Sequence, residues 1–394
     1  MDISVKSEIG RLNGVILHRP GIEIERMTPE NIHKALYSDI LSMNIAQREY
    51  ALFEGVLQKN TQVFYVTDLL ANILQDNNLK RQVVDDVCQM YQLNIQSLLL
   101  DMSVEDLSHV LIEGYAVNNR QYVIPPLYNL FFTRDASVSV LNKVMINKMK
   151  YDIREREAYL MQKIFQYYFH ASTFHVSAPE VHIEGGDVLI AREDVLLVGN
   201  GCRTSRKAID MLAEQLKGTS IKHIVIQQLP EEPDSFIHLD MVFTFLDKNA
   251  CMCYRPLIAQ PSRYTTIHID LESGKAEEKT TLLEALQALH FDLQPIFCGG
   301  DDEWNQQREQ WHSGANFFAM APGKIIGYQR NTHTIEALHQ HGFDVIEAAD
   351  IVSGKDSIDQ HQRCVVTVPS NELPRGGGGA RCMTMPINRE NVIW

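Results

Sequence analysis

Short apolar runs and amphipathic segments alternate along this chain in one recurring scheme: a strand, a turn, a helix with one apolar face, then a second strand. The clearest copy opens at Val195, Leu196, Leu197 and Val198, continues with Ile209, Leu212, Ala213 and Leu216 at helical spacing, stops at Gly218 and resumes over 221–226. A second copy runs from 324–328 through a helix over 332–341, broken at Gly342, to a strand over 343–346. The same scheme fits 15–18 with 61–66, 144–148 with 173–176, and 242–254 with a helix carrying Leu282, Ala285, Leu286 and Leu289. Five such units predict an α/β protein, either a doubly wound sheet or a ring of small units about a shared axis. Residues 69–125 have a different character and are expected to form a helical insertion, with Ser103 and Asp106 as a capping box and Pro125-Pro126 ending it. The segment 129–133 is then expected to be extended. No linker or low-complexity stretch divides the chain, so residues 1–394 are expected to form a single body.

Composition narrows the class. With 45% hydrophobic and 22% charged residues the chain can bury a core, so a disordered or collagen-like class is excluded. No apolar run reaches about 18 residues, and residues 1–6 lack the basic-then-apolar pattern of a secretory signal, so no membrane partner and a cytoplasmic location are expected. A net charge of −14 repels phosphate backbones and disfavours nucleic acid as a partner. The seven cysteines are scattered, with no CxxC pair, which argues against a disulfide framework or zinc site and leaves room for one reactive thiol.

Four clusters set titratable residues among apolar strand residues, where burial without partners costs several kcal/mol. They are 129–135 (NLFFTRD), 182–187 (HIEGGD), 238–240 (HLD) and 375–382 (RGGGGARC). Each has a plain structural reading. His238 and Asp240, two apart, would share one face of a half-exposed strand. Glu184 could be a surface turn carboxylate, Asp135 a salt-bridged strand end, the glycine run a flexible loop or anion cradle, and Cys382 a small buried hydrophobe. Together they form a set suited to attack on a cationic carbon. Carboxylates hold the cation, a thiolate attacks it and a histidine moves protons.

The motifs and their order resemble those of the arginine deiminases of the guanidine-modifying, or pentein, superfamily. The resemblance spans nearly the whole chain: 7–12 (SEIGRL), 18–21 (HRPG), 129–135, 184–187, Arg203-Thr204, 238–240, 311–316 (WHSGAN), 327–331 (GYQRN) and, most specific, 380–386 (ARCMTMP). It implies a five-unit pseudo-symmetric α/β propeller that hydrolyses L-arginine to L-citrulline and ammonia through a covalent thiouronium. On that resemblance Cys382 is the nucleophile and His238 the general acid and base. Glu184 holds the histidine, and Asp135 and Asp240 grip the guanidinium nitrogens. Asn129, Arg154, Arg203 and Arg375 recognise the amino-acid end of the substrate, favouring a free amino acid over agmatine. No metal or organic cofactor is expected, and the oligomeric state, a homo-oligomer included, is left open. Asp240 is expected to serve the bound cation and not the core. Rival readings are a deiminase of another guanidine, an amidinotransferase, and a non-enzymatic guanidine-binding protein. Ala136, Met241 and Cys202 depart from the family's usual proline, threonine and glutamate, and the insertion is shorter than is usual.

Overall fold

A computed structural model describes residues 1–116 and 121–394; residues 117–120, part of the 69–125 segment, lie outside the described residues. All five units predicted from hydrophobic spacing are present as separate sheets; in four of them the antiparallel partner strand lies outside the predicted segments, whereas 242–254 holds both partners of its pair. In the first, Leu12–Leu17 pairs antiparallel with Met385–Arg389 and parallel with Gln62–Tyr65 across the helix Met43–Asn60. The second joins Ser137–Val140, Lys143–Ile146 and Thr173–His175 around the helix Glu155–Tyr167. The third repeats this with Val188–Arg192, Val195–Asn200 and His223–Gln228, and extends outward through Thr266–Asp270 and Ala276–Lys279. The fourth uses Phe243–Asp247, Ala250–Cys253 and Gln294–Phe297. In the fifth, Phe318–Ala321 and Lys324–Tyr328 are followed by Cys364–Val368, with Asp344–Glu347 at the edge. That order follows from burial. Cys364–Val368 is buried throughout and takes the inner place, whereas Asp344–Glu347 exposes its charged ends.

The helix Arg206–Leu216 shows how local sequence sets an element. Ser205 caps it by accepting from the Ala208 N–H, and Ala208, Ile209, Leu212, Ala213 and Leu216 form its buried stripe. Gly218, at φ +78°, turns the chain back to the next strand. Residues 66–113 hold four helices, Val66–Ile73, Asn77–Met90, Gln96–Leu100 and Val104–Glu113, the last capped as expected by Ser103 Oγ accepting from Asp106 N–H at 3.0 Å.

Two expectations are corrected. Residues 129–133 are not extended: Phe132 N–H bonds the Asn129 carbonyl at 3.0 Å and Leu130 N–H bonds that of Leu127 at 3.1 Å, giving consecutive turns. Residues 238–240 are not a strand edge. Leu239–Met241 is a single 3₁₀ turn, because buried Asp187 accepts from the Leu239 N–H at 2.8 Å and Met241 N–H returns to the His238 carbonyl. No described helix is long and apolar enough to cross a membrane.

Candidate active site

The turns leading into or out of the strands bring together residues distant in sequence, such as Arg134 and Arg381, 247 positions apart. A cavity of about 300 Å³ is lined by Cys382, His238, Asp135, Asn129, Arg154 and Arg203, together with Gly376 to Gly378 and Cys202. Asp240 and Glu184 are fully buried behind this lining. Cys382 stands in the turn before strand Met385–Arg389, and its carbonyl accepts from Arg134 N–H at 3.1 Å. Its sulfur lies 3.7 Å from Asp240 Oδ2 and 3.9 Å from Met241 Sδ, so the residue at the family's threonine position makes a sulfur contact instead. Burial, then Asp240 and Asp135, push the thiol well above its ordinary pKa. These surroundings favour the neutral thiol over the thiolate.

Glycines let His238 and Glu184 meet. Gly185 and Gly186 open a 3₁₀ turn between two neighbours: a Cβ on Gly185 would come within 2.0 Å of the Arg134 carbonyl, and one on Gly186 within 2.4 Å of His238 Nδ1. His238 Nε2 lies 3.0 Å from Glu184 Oε2, and Nδ1 lies 3.8 Å from Asp135 Oδ1. Burial alone would depress the imidazolium, but Asp135, the bond to Glu184 and the nearby Asp187 outweigh it and raise its pKa to about 9. Glu184 moves oppositely: despite burial, Arg203, His238 and Arg154 hold it well below the carboxylate range. At neutral pH the pair is an imidazolium facing a carboxylate, ready to give a proton.

The two carboxylates expected to grip a guanidinium, Asp135 and Asp240, are not bare. Two unpaired buried carboxylates would each cost several kcal/mol, and the protein's own arginines offset this. Arg154 Nη1 donates to Asp135 Oδ2 at 2.8 Å, and Arg381 Nη1 donates to Asp240 Oδ2 at 2.8 Å. Asp240 is thus tied to the interior through Arg381 and touches Cys382 at the cavity, contrary to the expectation that it serves a bound cation and not the core. Asp135 Oδ1 remains a buried acceptor with no hydrogen-bond partner.

The four residues assigned to the amino-acid end are placed differently from one another. Arg203 lines the cavity, with its guanidinium 3.2 Å from Glu184 and 4.9 Å from the Tyr151 ring centre. Asn129 lines it too, held by donation to the Ala35 carbonyl at 2.8 Å. Arg154 is committed to Asp135 and Glu157, inside the cavity wall. Arg375 is not brought into the cavity: its half-exposed side chain pairs with Asp39 at 3.4 Å and Glu372 at 3.7 Å.

Residue-by-residue reading missed three supporting groups that stand inside the quoted motifs. Glu8 binds Arg381 at 2.9 and 3.1 Å; burial opposes its ionisation, yet Arg381, Arg134 and Arg389 hold its pKa at about 2. Asp187, pushed up to about 7 by burial, fixes the turn carrying Asp240. Asn316 touches Cys382. Their polar side chains within apolar surroundings were the available signal. Asp135, Glu184 and His238 each offer a ligand atom within 4.8 Å of the others, a spacing that suits a metal ion. Arg154 and Arg203 already engage those carboxylates, so the group reads as an ion-pair network.

Residues 100–389 match the family profile described as "Arginine deiminase". Arginine deiminase of Bacillus cereus (strain B4264) is 34% identical, the alignment covering 99% of each chain. Among solved structures, an amidinotransferase of saxitoxin biosynthesis from Microseira wollei superposes with a TM-score of 0.60 at 12% identity, covering 100% of this chain and 98% of that one. The N-terminal domain of a cyanobacterial arginine dihydrolase, solved with its product, superposes with a TM-score of 0.57 at 14% identity, covering 95% and 97%. These likenesses show that the chain shares the mixed α/β fold of those two enzymes.

Proposed function

The chain belongs to the arginine deiminase family, and on that premise we propose that it hydrolyses L-arginine to L-citrulline and ammonia through a covalent intermediate on Cys382. One observation carries the reading: a thiol, an imidazolium and an unpartnered carboxylate oxygen, Asp135 Oδ1, converge on one cavity. That oxygen and Asp240 receive the guanidinium N–H groups, and Arg203 and Asn129 meet the amino-acid end. The cation's arrival favours the thiolate, and the thiol proton leaves to solvent.

The sulfur then bonds to the guanidinium carbon. His238 protonates one amino group, the C–N bond breaks and ammonia departs, leaving a cationic thiouronium and neutral imidazole. Water adds to the same carbon as His238 takes its proton. The C–S bond breaks, citrulline is released, the hydroxyl proton returns to sulfur, and the imidazolium is regenerated.

The finer architecture belongs to the same proposal. The five like sheets are read as blades about one axis, with the helices of 66–113 inserted between the first and second. The first blade pairs the chain's beginning with its end, as ring closure requires. A cytoplasmic location accompanies this reading, in keeping with the amino-acid substrate. Incubation of purified protein with arginine is expected to give equimolar citrulline and ammonia, with activity abolished in Cys382→Ala. Ornithine or a new guanidine in place of citrulline would favour amidino transfer and overturn the proposal.

A further inference from the structure

Asn316 lies in the turn between helix Glu303–Trp311 and strand Phe318–Ala321, is fully buried, and has no role in the steps above. Its Oδ1 accepts from two backbone N–H groups, Arg381 at 2.8 Å and Cys382 at 3.3 Å. Its Nδ2 lies 3.0 Å from the Asp240 carbonyl and 3.2 Å from Cys382 Sγ. These partners fix the orientation of the amide. Reversing it would set NH₂ against two N–H donors and oxygen against a carbonyl, so the group facing sulfur is a donor. The glycine loop is built around it: a Cβ on Gly379 would come within 2.6 Å of the Asn316 side chain.

We propose that Asn316 is a further catalytic residue of this site, donating an N–H bond to the Cys382 sulfur as it becomes a thiolate and pinning the backbone that aims it. The inference deepens the deiminase reading and rests on it for the identity of the reaction. Among the charged groups around the sulfur, Asp240 and Asp135 oppose thiolate formation and Arg381 favours it. Arg381 is already engaged by Glu8 and Asp240, so its charge is largely spent. A hydrogen bond to an anion is roughly twice as strong as one between neutral groups, so the Asn316 bond strengthens as the thiol ionises.

The test is the pH dependence of iodoacetamide alkylation at Cys382 in the full chain without arginine, located by peptide mass spectrometry. Asn316→Asp keeps the oxygen that holds the backbone and replaces the donor by an acceptor. It is expected to shift the profile upward by about one pH unit or more, about tenfold slower alkylation at a fixed lower pH. Asn316→Ser, smaller and neutral, serves if that variant fails to fold, and is expected to shift the profile in the same direction. In arginine turnover, kcat is expected to fall while KM changes little. A variant profile superimposing on the parent's would overturn the proposal. A parent that alkylates normally yet releases no citrulline would overturn the deiminase reading instead, since alkylation needs no substrate.

Discussion

At the residue scale, the site depends on charge placed against charge at low exposure. His238 illustrates the balance, because burial lowers its proton affinity while three carboxylates raise it more. A raised pKa in the folded state contributes stability that is fully present below the ordinary value of 6.5 and is lost as pH rises through about 9. Removing one carboxylate should move this window. In Glu184→Gln the His238 ring, followed by NMR, is expected to titrate well below about 9, and the stability of the fold should lose its dependence on pH in the upper part of the range. A ring that still titrates near 9 would show that Asp135 and Asp187 alone set it. Asp240 gives the complementary lesson. Sequence presents it as a substrate ligand, but nothing in the motif shows that the arginine beside the nucleophile turns inward to pair with it.

At the scale of elements, what sequence disclosed follows from period. The helix Arg206–Leu216 announced itself by apolar residues at i, i+3, i+4 and i+7, and the central strands by continuous apolar runs. Other antiparallel partners are hidden from period, because Ser137–Val140 alternates serine with valine and Met385–Arg389 includes proline and arginine; tertiary pairing decides such segments. The turns at 129–133 and 238–240 are not legible from sequence for a related reason: side-chain anchors from Asn129 and Asp187 hold them, and the anchored partners are distant in sequence. Gly186 is the sharpest test at this scale. In Gly186→Ala the new Cβ displaces the imidazole it would otherwise strike. Steady-state kinetics should show kcat/KM lower by about 10²-fold, as a misplacement of order 1 Å does. Circular dichroism should show the secondary structure retained. Unchanged kinetics would mean that the ring position is not critical.

At the scale of the whole molecule, strands from near the two ends of the chain pair in one sheet, and Glu8 meets Arg381 as Cys382 meets Asp240. The catalytic types could be read from motifs, but their convergence could not, since periodicity carries no information about which turns face one another. The family resemblance supplied that convergence as an expectation, and the coordinates place five of the assigned groups, Cys382, His238, Glu184, Asp135 and Asp240, in one cluster while leaving Arg375 at the surface. The proposed chemistry turns on a covalent bond between the Cys382 sulfur and the substrate's guanidinium carbon. Acid quenching of the enzyme during turnover of arginine labelled at that carbon, followed by peptide mass spectrometry, measures this directly. Label is expected on the peptide containing Cys382, and none in Cys382→Ala. Label on another residue, or citrulline released at the parent rate by the alanine variant, would contradict it.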